Sequence, residues 1–229
     1  MSLQLPSLFR PVPLREGQDA MAMACALAPE VGPPARSRGA GTLCYCGTPL
    51  RVEAAVVLEP ELPLGQARLV LQVGASALAD ALTVLGPPEV PITFRWPAEL
   101  YVNGARAGRV ALVAPEGSAE GEVPEWLVLG FTCRLAFREG HEGGLTPEET
   151  ALAEEGFEQP DAAAVIESWA RHLMAGLDEW QARGPRRVAE RFLARLSEPA
   201  AAPGLRRGLD PATGALILER GGEREVLAP

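Results

Sequence analysis

The pattern of hydrophobic and polar positions between residues 92 and 113 predicts two antiparallel strands joined by a tight turn. Apolar Phe94 and Trp96 alternate with polar side chains, as in a strand with one buried face. The alternation stops at Asn103-Gly104, which favours a type I′ turn because both central residues need positive φ angles. We therefore predict a β-hairpin with its tip at this dipeptide.

Helical spacing, with apolar residues three and four positions apart, marks residues 64–85 and 162–183. Shorter apolar runs at 42–46, 52–58 and 126–131 have the length and composition of buried strands. Strands that alternate with long amphipathic helices predict an α+β fold, in which both helices pack on a mixed sheet.

Three shorter segments have local signals. Asp19 is a candidate N-cap for a helix over 20–28. Residues 147–155 are predicted to form a short helix capped by Thr146, with Glu149 three positions on. The loop 32–41 contains Arg36 and Arg38, which suit an anion, although such loops are more often simple turns.

An alanine- and proline-rich linker at 199–203 divides the chain. We predict a main domain over residues 1–198 and a short β-hairpin module over 204–229. A module of about 25 residues cannot enclose its own core, so it is expected to dock on the main domain.

Composition narrows the function classes. The net charge of −9 argues against a nucleic-acid surface, which needs clustered cations. All 21 basic residues are arginine, so no lysine nucleophile or Schiff base is available. No apolar run reaches membrane-spanning length and no signal segment opens the chain, so we expect a cytoplasmic protein without a membrane span.

The four cysteines predict no metal site. Cys25, Cys44, Cys46 and Cys133 lack C-x-x-C spacing, and the chain has only two histidines. Cys44 and Cys46 are two positions apart on a predicted strand and therefore share one of its faces. Scattered buried thiols are the expectation.

The predicted hairpin carries a recognisable motif. The sequence RWPAE at 95–99 is followed by Asn103-Gly104, Arg106 and Gly108. This order resembles the signature K-W-P-N-D, N-G, K and A-G-I of the biotin and lipoate protein ligase superfamily. The segments WLVLGFTCRL at 126–135 and ALAEEG at 151–156 resemble two further family motifs in the same order.

The resemblance implies a class II synthetase-like mixed sheet with packed helices, followed by a small C-terminal β extension. It also implies an activity: ATP activates biotin, lipoate or a related acid as an acyl-adenylate, and the acyl group passes to a lysine of a biotinyl or lipoyl carrier domain.

Site residues follow from the matched positions. Arg106 occupies the place of the family's essential lysine, and Glu99 that of a carboxylate that assists Mg²⁺ or the adenosine; these two are the implied catalytic residues. The implied substrate-binding residues are Arg51, Arg95, Trp96, Asn103, Gly104, Gly108 and Arg134.

Departures from the motif keep alternatives open. The family's arginine-rich adenylate loop is reduced to five residues at 47–51, which predicts a tight turn and weak ATP binding. The chain is then either a divergent ligase or acyltransferase, or a degenerate relative that binds a small acid or a protein partner.

Two further alternatives concern a thiol and an edge strand. Some relatives carry the acyl group on a cysteine, for which Cys133 beside Arg134 is the candidate nucleophile, against a buried structural thiol. A sheet edge over 123–135 would also support a homodimer.

Overall fold

In the computed structural model, which describes residues 3–30, 39–142 and 145–229, eight strands form one mixed sheet. The strands are β1 (Arg10–Pro13), β2 (Thr42–Gly47), β3 (Arg51–Leu58), β4 (Ile92–Arg95), β5 (Glu99–Val102), β6 (Ala105–Val113), β7 (Leu127–Arg134) and β8 (Leu196–Glu198). Their order is β1-β2-β3-β7-β6-β5-β4-β8. Only the two outermost pairs, β1–β2 and β4–β8, are parallel.

The helices begin and end at residues with clear local causes. They are α1 (Ala20–Leu27), α2 (Leu64–Ala67), α3 (Val70–Leu85), α4 (Ala162–Arg183) and α5 (Pro185–Leu193), with short 3₁₀ turns at Ala28–Glu30 and Leu152–Glu155. Asp19 and Asp161 each accept a bond from the backbone N–H three residues on, as N-caps do. Gly184, at φ 75°, ends α4, and Pro185 opens α5.

The long helices α3 and α4 pack against each other and cover one face of the sheet. Trp169 of α4 is fully buried there, and its ring meets Phe131 of β7 edge-on at 4.8 Å between centroids. The prediction of two amphipathic helices on a mixed sheet is confirmed. The first of them is divided, since a tighter turn at Arg68–Leu69 separates α2 from α3.

The opposite face of the sheet is covered only in part. Ala20 and Ala24 of α1 pack on Cys44, Ala55 and Val128, which form a smaller apolar cluster. Because α1 has only eight residues, it leaves one end of this face open.

The C-terminal residues form a second, three-stranded antiparallel sheet. Its strands are β9 (Arg206–Leu209), β10 (Leu216–Arg220) and β11 (Glu223–Leu227). The predicted hairpin corresponds to β10 and β11, and β9 adds a third strand. Leu216 and Leu218 join the main core, and Arg207 donates to the carbonyl oxygens of Leu193, Leu196 and Pro199.

Two predictions need correction. The stretch 123–135 is not an edge: its strand β7 is paired on both sides, with β3 and with β6. The homodimer through that edge therefore loses its basis. The helix at 147–155 is reduced to the 3₁₀ turn at its end, because the preceding residues bond to β6 instead. The anion loop prediction, with Arg36 and Arg38, falls outside the described residues.

Within the described residues, one segment is long and apolar enough to cross a membrane by composition alone. It is Leu64–Leu85, and 72% of its most apolar window is buried inside the fold. Its burial against α4 and the sheet is that of a core helix.

Candidate functional site

An open cleft of about 860 Å³ lies on the partly covered face of the sheet, next to the N-terminal end of α1. Its lining is strongly charged. The arginines are Arg51, Arg106, Arg109, Arg134 and Arg138, and the acids are Glu16, Asp19, Glu53 and Glu99. Ligand sites favour concave surfaces where a few polar groups converge, so this cleft is the candidate site.

The strand register brings five of the lining residues into one row. Cys46 faces Glu53, Glu53 faces Thr132, Thr132 faces Arg109 and Arg109 faces Glu99 on successive strands from β2 to β5. Directly opposed residues point to the same face of a sheet. The row therefore crosses the floor of the cleft, and no single segment of sequence contains it.

Arg106 and Arg134 share one carboxylate. Arg106 Nη2 lies 2.6 Å from Glu149 Oε1, and Arg134 Nη2 lies 3.0 Å from Glu149 Oε2. The hydrogen bond from Arg106, followed by the charge of Arg134, lowers the pKa of Glu149 below its usual value. The same hydrogen bond raises the pKa of Arg106. Two guanidinium groups from different strands thus hold both oxygens of a carboxylate.

Backbone bonds fix Glu149 in this place. Arg106 N–H donates to the Glu148 carbonyl at 2.8 Å, and Thr150 N–H donates to the Arg106 carbonyl at 2.9 Å. The segment around Glu149 thereby continues the sheet beside β6 where β7 has ended. Glu155 adds a second link, accepting from Asn103 Nδ2 at 2.8 Å and from Thr150 Oγ1 at 2.5 Å.

The hairpin that carries Arg106 has the predicted turn. Asn103 and Gly104 have φ angles of 51° and 85°, as a type I′ turn requires, so this prediction is confirmed. A register shift follows in the pairing of β5 with β6. Just beyond it, a Cβ at Gly108 would overlap the Thr132 carbonyl, so glycine allows β6 and β7 to approach closely there.

Four of the expected substrate-binding residues lie away from the cleft lining: Arg95, Trp96, Asn103 and Gly104. Arg95 pairs with Glu198 at 3.1 Å and stacks over the Tyr101 ring at 4.2 Å from its centroid. Trp96 donates from Nε1 to the Ala228 carbonyl at 2.9 Å. The structure brings Arg106 and Glu99 together in one cleft but gives Arg95 and Trp96 other partners.

The connection between β2 and β3 is a tight turn, as predicted. It consists of Thr48, Pro49 and Leu50, and Thr48 N–H donates to the Arg51 carbonyl at 2.9 Å. Arg51 leaves the turn toward the cleft and pairs with Glu53 at 2.6 Å. With so short a connection, nothing in this turn arches over the cleft.

The thiols are poorly suited to nucleophilic chemistry. Cys133 is fully buried, and burial raises its pKa to about 12. Burial, and then the charges of Glu53 and Glu16, also raise the pKa of Cys46, the other thiol near the cleft. A nucleophilic cysteine needs a lowered pKa, so these shifts favour the buried structural thiol over Cys133 as acyl carrier.

No group of three or more histidine, cysteine, aspartate or glutamate side chains in the described ranges is arranged to hold a metal ion. Glu99 is the carboxylate to which the family resemblance assigns contact with Mg²⁺ or the adenosine. It lines both the main cleft and an adjoining cleft of about 290 Å³ that also reaches Arg68 and Arg109.

Sequence reasoning missed three residues of this site. Glu149 had a local explanation as part of a helix cap, and Glu53 stands inside an apolar strand motif. Thr132 lies within the largely apolar segment 126–135. The alternation rule offered no signal for the last two. Glu53 shares its sheet face with Ala55 and Val57, and Thr132 shares its face with Val128.

Similarity to known proteins indicates the family and the fold of the chain. The model of the biotin/lipoate A/B protein ligase family matches residues 5–194. No curated protein sequence matches. The structure of a biotin protein ligase-like protein of unknown function from Silicibacter sp. TM1040 is 29% identical, with a TM-score of 0.81, covering 99% of this chain and 96% of that one.

Two more distant structures share the fold. Biotin protein ligase from Aquifex aeolicus is 12% identical, with a TM-score of 0.68 over 96% of this chain and 95% of its own. The Leishmania major enzyme in complex with biotinyl-5-AMP is 15% identical, with a TM-score of 0.56 over 92% and 95%. Because the family model matches most of this chain, the chain belongs to the biotin/lipoate A/B protein ligase family.

Proposed function

We propose that this protein binds a small carboxylic acid of the biotin or lipoate type in the arginine-lined cleft. We further propose that it acts as a divergent ligase or acyltransferase, passing the acyl group to a lysine of a biotinyl or lipoyl carrier domain in the cytoplasm. One observation carries the proposal: Arg106 and Arg134 already hold a carboxylate, that of Glu149, between them.

The Glu149 carboxylate illustrates what the two arginines can bind. Bonds between a guanidinium group and a carboxylate are charge-assisted and therefore stronger than neutral ones. Arg109 lies in the same cleft and adds a third positive charge. A ligand carboxylate that replaces Glu149 would find donors on two strands, in positions fixed by the sheet.

Within the proposed reaction, Arg106 and Glu99 are the catalytic candidates. Arg106 would neutralise the carboxylate of the acid and the charge that develops when it is activated. Glu99, between the two clefts, would be the contact for Mg²⁺. The chain has no lysine and the thiols near the cleft have raised pKa values, so the acyl group would pass from the activated acid to the acceptor amine without a covalent link to the protein.

A second candidate function is acid binding without adenylation, favoured by the three-residue turn at Thr48–Leu50. The structure of the Aquifex aeolicus enzyme with biotin and ATP shows that a relative of this fold holds the nucleotide. Here ATP is proposed as a weakly bound co-substrate, because the turn supplies no donors over the phosphates.

Calorimetry and thermal-shift measurements with biotin, lipoate and octanoate, with and without ATP and Mg²⁺, test the proposal. We expect one of the acids to bind, and Arg106→Ala to weaken that binding by roughly ten- to a hundredfold through loss of a charge-assisted pair. Arg171→Ala serves as the control, since it removes an arginine paired with Glu167 on α4, outside the cleft lining.

Equal weakening by both variants, or none by Arg106→Ala, would contradict the proposal. The nucleotide separates the two candidate functions. Release of pyrophosphate that depends on the acid supports the ligase. Acid binding of undiminished strength, without turnover and with ATP at millimolar concentration, supports the binding protein.

A further inference from the structure

The two ends of the cleft differ in their charged groups. Arg106, Arg109 and Arg134 lie at the end formed by β6 and β7. Glu53 and Glu16 lie at the other end, beside Cys46 of β2, where both carboxylates raise the pKa of that thiol. A carboxylic acid bound to these three arginines would therefore extend toward Glu16 and toward Glu53 with its partner Arg51.

Glu53 is the notable residue at the acidic end. Its side chain is only 9% exposed, and Arg51 Nη2 contacts its Oε2 at 2.6 Å. Among the described residues, no group donates a hydrogen bond to the other oxygen, Oε1. Oε1 keeps contact with solvent in the cleft, and covering it without donating a hydrogen bond to it is costly.

The nature of the ligand follows from that cost. An aliphatic chain lying over Glu53 would remove its remaining water and give nothing in return. A positively charged amine would donate to Oε1 in a charge-assisted bond, while Arg51 keeps its contact with Oε2. Glu53 therefore discriminates between acids by the group that they carry at the end opposite the carboxylate.

The strand register gives the length of such a ligand. Glu53 and Arg109 are separated by Thr132 on the strand between them, hence by two strand spacings or about 10 Å. An extended chain of about eight atoms spans this distance.

We infer that Glu53 is a specificity-determining residue, and that the ligand is an elongated acid with a positively charged amine at the end opposite its carboxylate. This inference rests on the proposed acid-binding function and narrows its substrate class. The arginines hold the carboxylate, Thr132 lies beneath the chain, and Glu53 accepts from the amine.

Matched ligands test the inference on the intact protein. Calorimetry compares 8-aminooctanoate with octanoate, which differ only in the amine. We expect the wild-type chain to bind the amino acid at least about tenfold more tightly. Glu53→Gln, which keeps the size of the side chain, should remove that preference by weakening the amino acid alone, and Glu53→Asp should retain part of it.

A second variant keeps the test valid if Glu53→Gln folds poorly. Arg51→Gln removes the existing partner of Glu53 and should raise the ratio of the affinity for 8-aminooctanoate to that for octanoate several-fold. Equal or tighter binding of octanoate, together with its loss in Arg106→Ala, would overturn the inference and leave the proposed function intact.

Biotin, whose ureido group donates hydrogen bonds without a charge, separates charge from hydrogen bonding. Binding of biotin tighter than that of 8-aminooctanoate would overturn the claim that a charged amine is recognised. Failure of all these acids to bind, in wild type and variants alike, would overturn the proposed function and with it this inference.

Discussion

The two faces of β7 differ in burial and in charge. Leu129, Phe131 and Cys133 point toward α3 and α4 and are almost completely buried. Gly130, Thr132 and Arg134, which alternate with them, point toward α1 and the cleft. One strand of eight residues thus supplies both the core and the site.

The difference comes from the length of the covering helices. α3 and α4 pack on the central strands of their face, whereas α1 covers Ala55 and Gly130 and its N-terminal end stops short of Glu53 and Thr132. Side chains change from small and apolar to charged at that boundary. The extent of a covering helix, as much as the strand itself, determines where a site can form.

The largest effect is expected on the core face. Trp169→Ala should lower the free energy of unfolding by about 3–5 kcal/mol, because it removes the largest buried side chain and its contact with Phe131. Urea denaturation measures the change. Thr132→Val, on the cleft face of the same sheet, should change stability by about 0.5 kcal/mol or less. Similar losses in the two variants would contradict the division between faces.

An intermediate effect is expected at Glu149, whose carboxylate occupies two arginines of the cleft. Glu149→Gln weakens the bridge between Arg106 and Arg134, so an acid no longer competes with a charged group, and we expect binding about tenfold tighter. Glu148→Gln, the exposed neighbour, is the control and should leave affinity unchanged. Weaker binding in Glu149→Gln would show that Glu149 orients the arginines instead of competing for them.

The smallest effect concerns pH. The pKa of Glu149 is lower in the folded state, so its ion pairs stabilise the fold at neutral pH, and this contribution is lost as the pH falls through the folded pKa. The pair is partly exposed, which limits the effect to about 1 kcal/mol or less.

Melting temperatures of the wild type and Glu149→Gln, measured between neutral pH and pH 3, check this prediction. The two curves should approach each other as the pH falls through the lowered pKa of Glu149, because the protonated side chain resembles glutamine. A difference that does not change with pH would show that packing, and not charge, accounts for the contribution of Glu149.

Local signals predicted the elements of the fold well. The Asn103-Gly104 turn, the two long helices and the short connection before Arg51 all depend on residues close in sequence. The order of the strands does not, which is why β7 was expected at an edge although it lies in the middle of the sheet.

The site was harder to predict because its contacts are distant in sequence. Arg106 was identified from its motif, but its partner Glu149 is 43 residues away and matched a helix-capping pattern. Glu53 becomes noticeable only when register places it beside Thr132, 79 residues further along the chain and on another strand. Motif and periodicity cannot supply such pairings.

The absence of lysine from the chain has a practical consequence for any assay of acyl transfer. The chain contains no ε-amino group, so an activated acyl group that escapes the cleft cannot modify the side chains of the protein as an amide. Any acyl-lysine detected in a reaction mixture by mass spectrometry must therefore belong to the acceptor. The protein itself therefore adds no acyl-lysine background to the measurement.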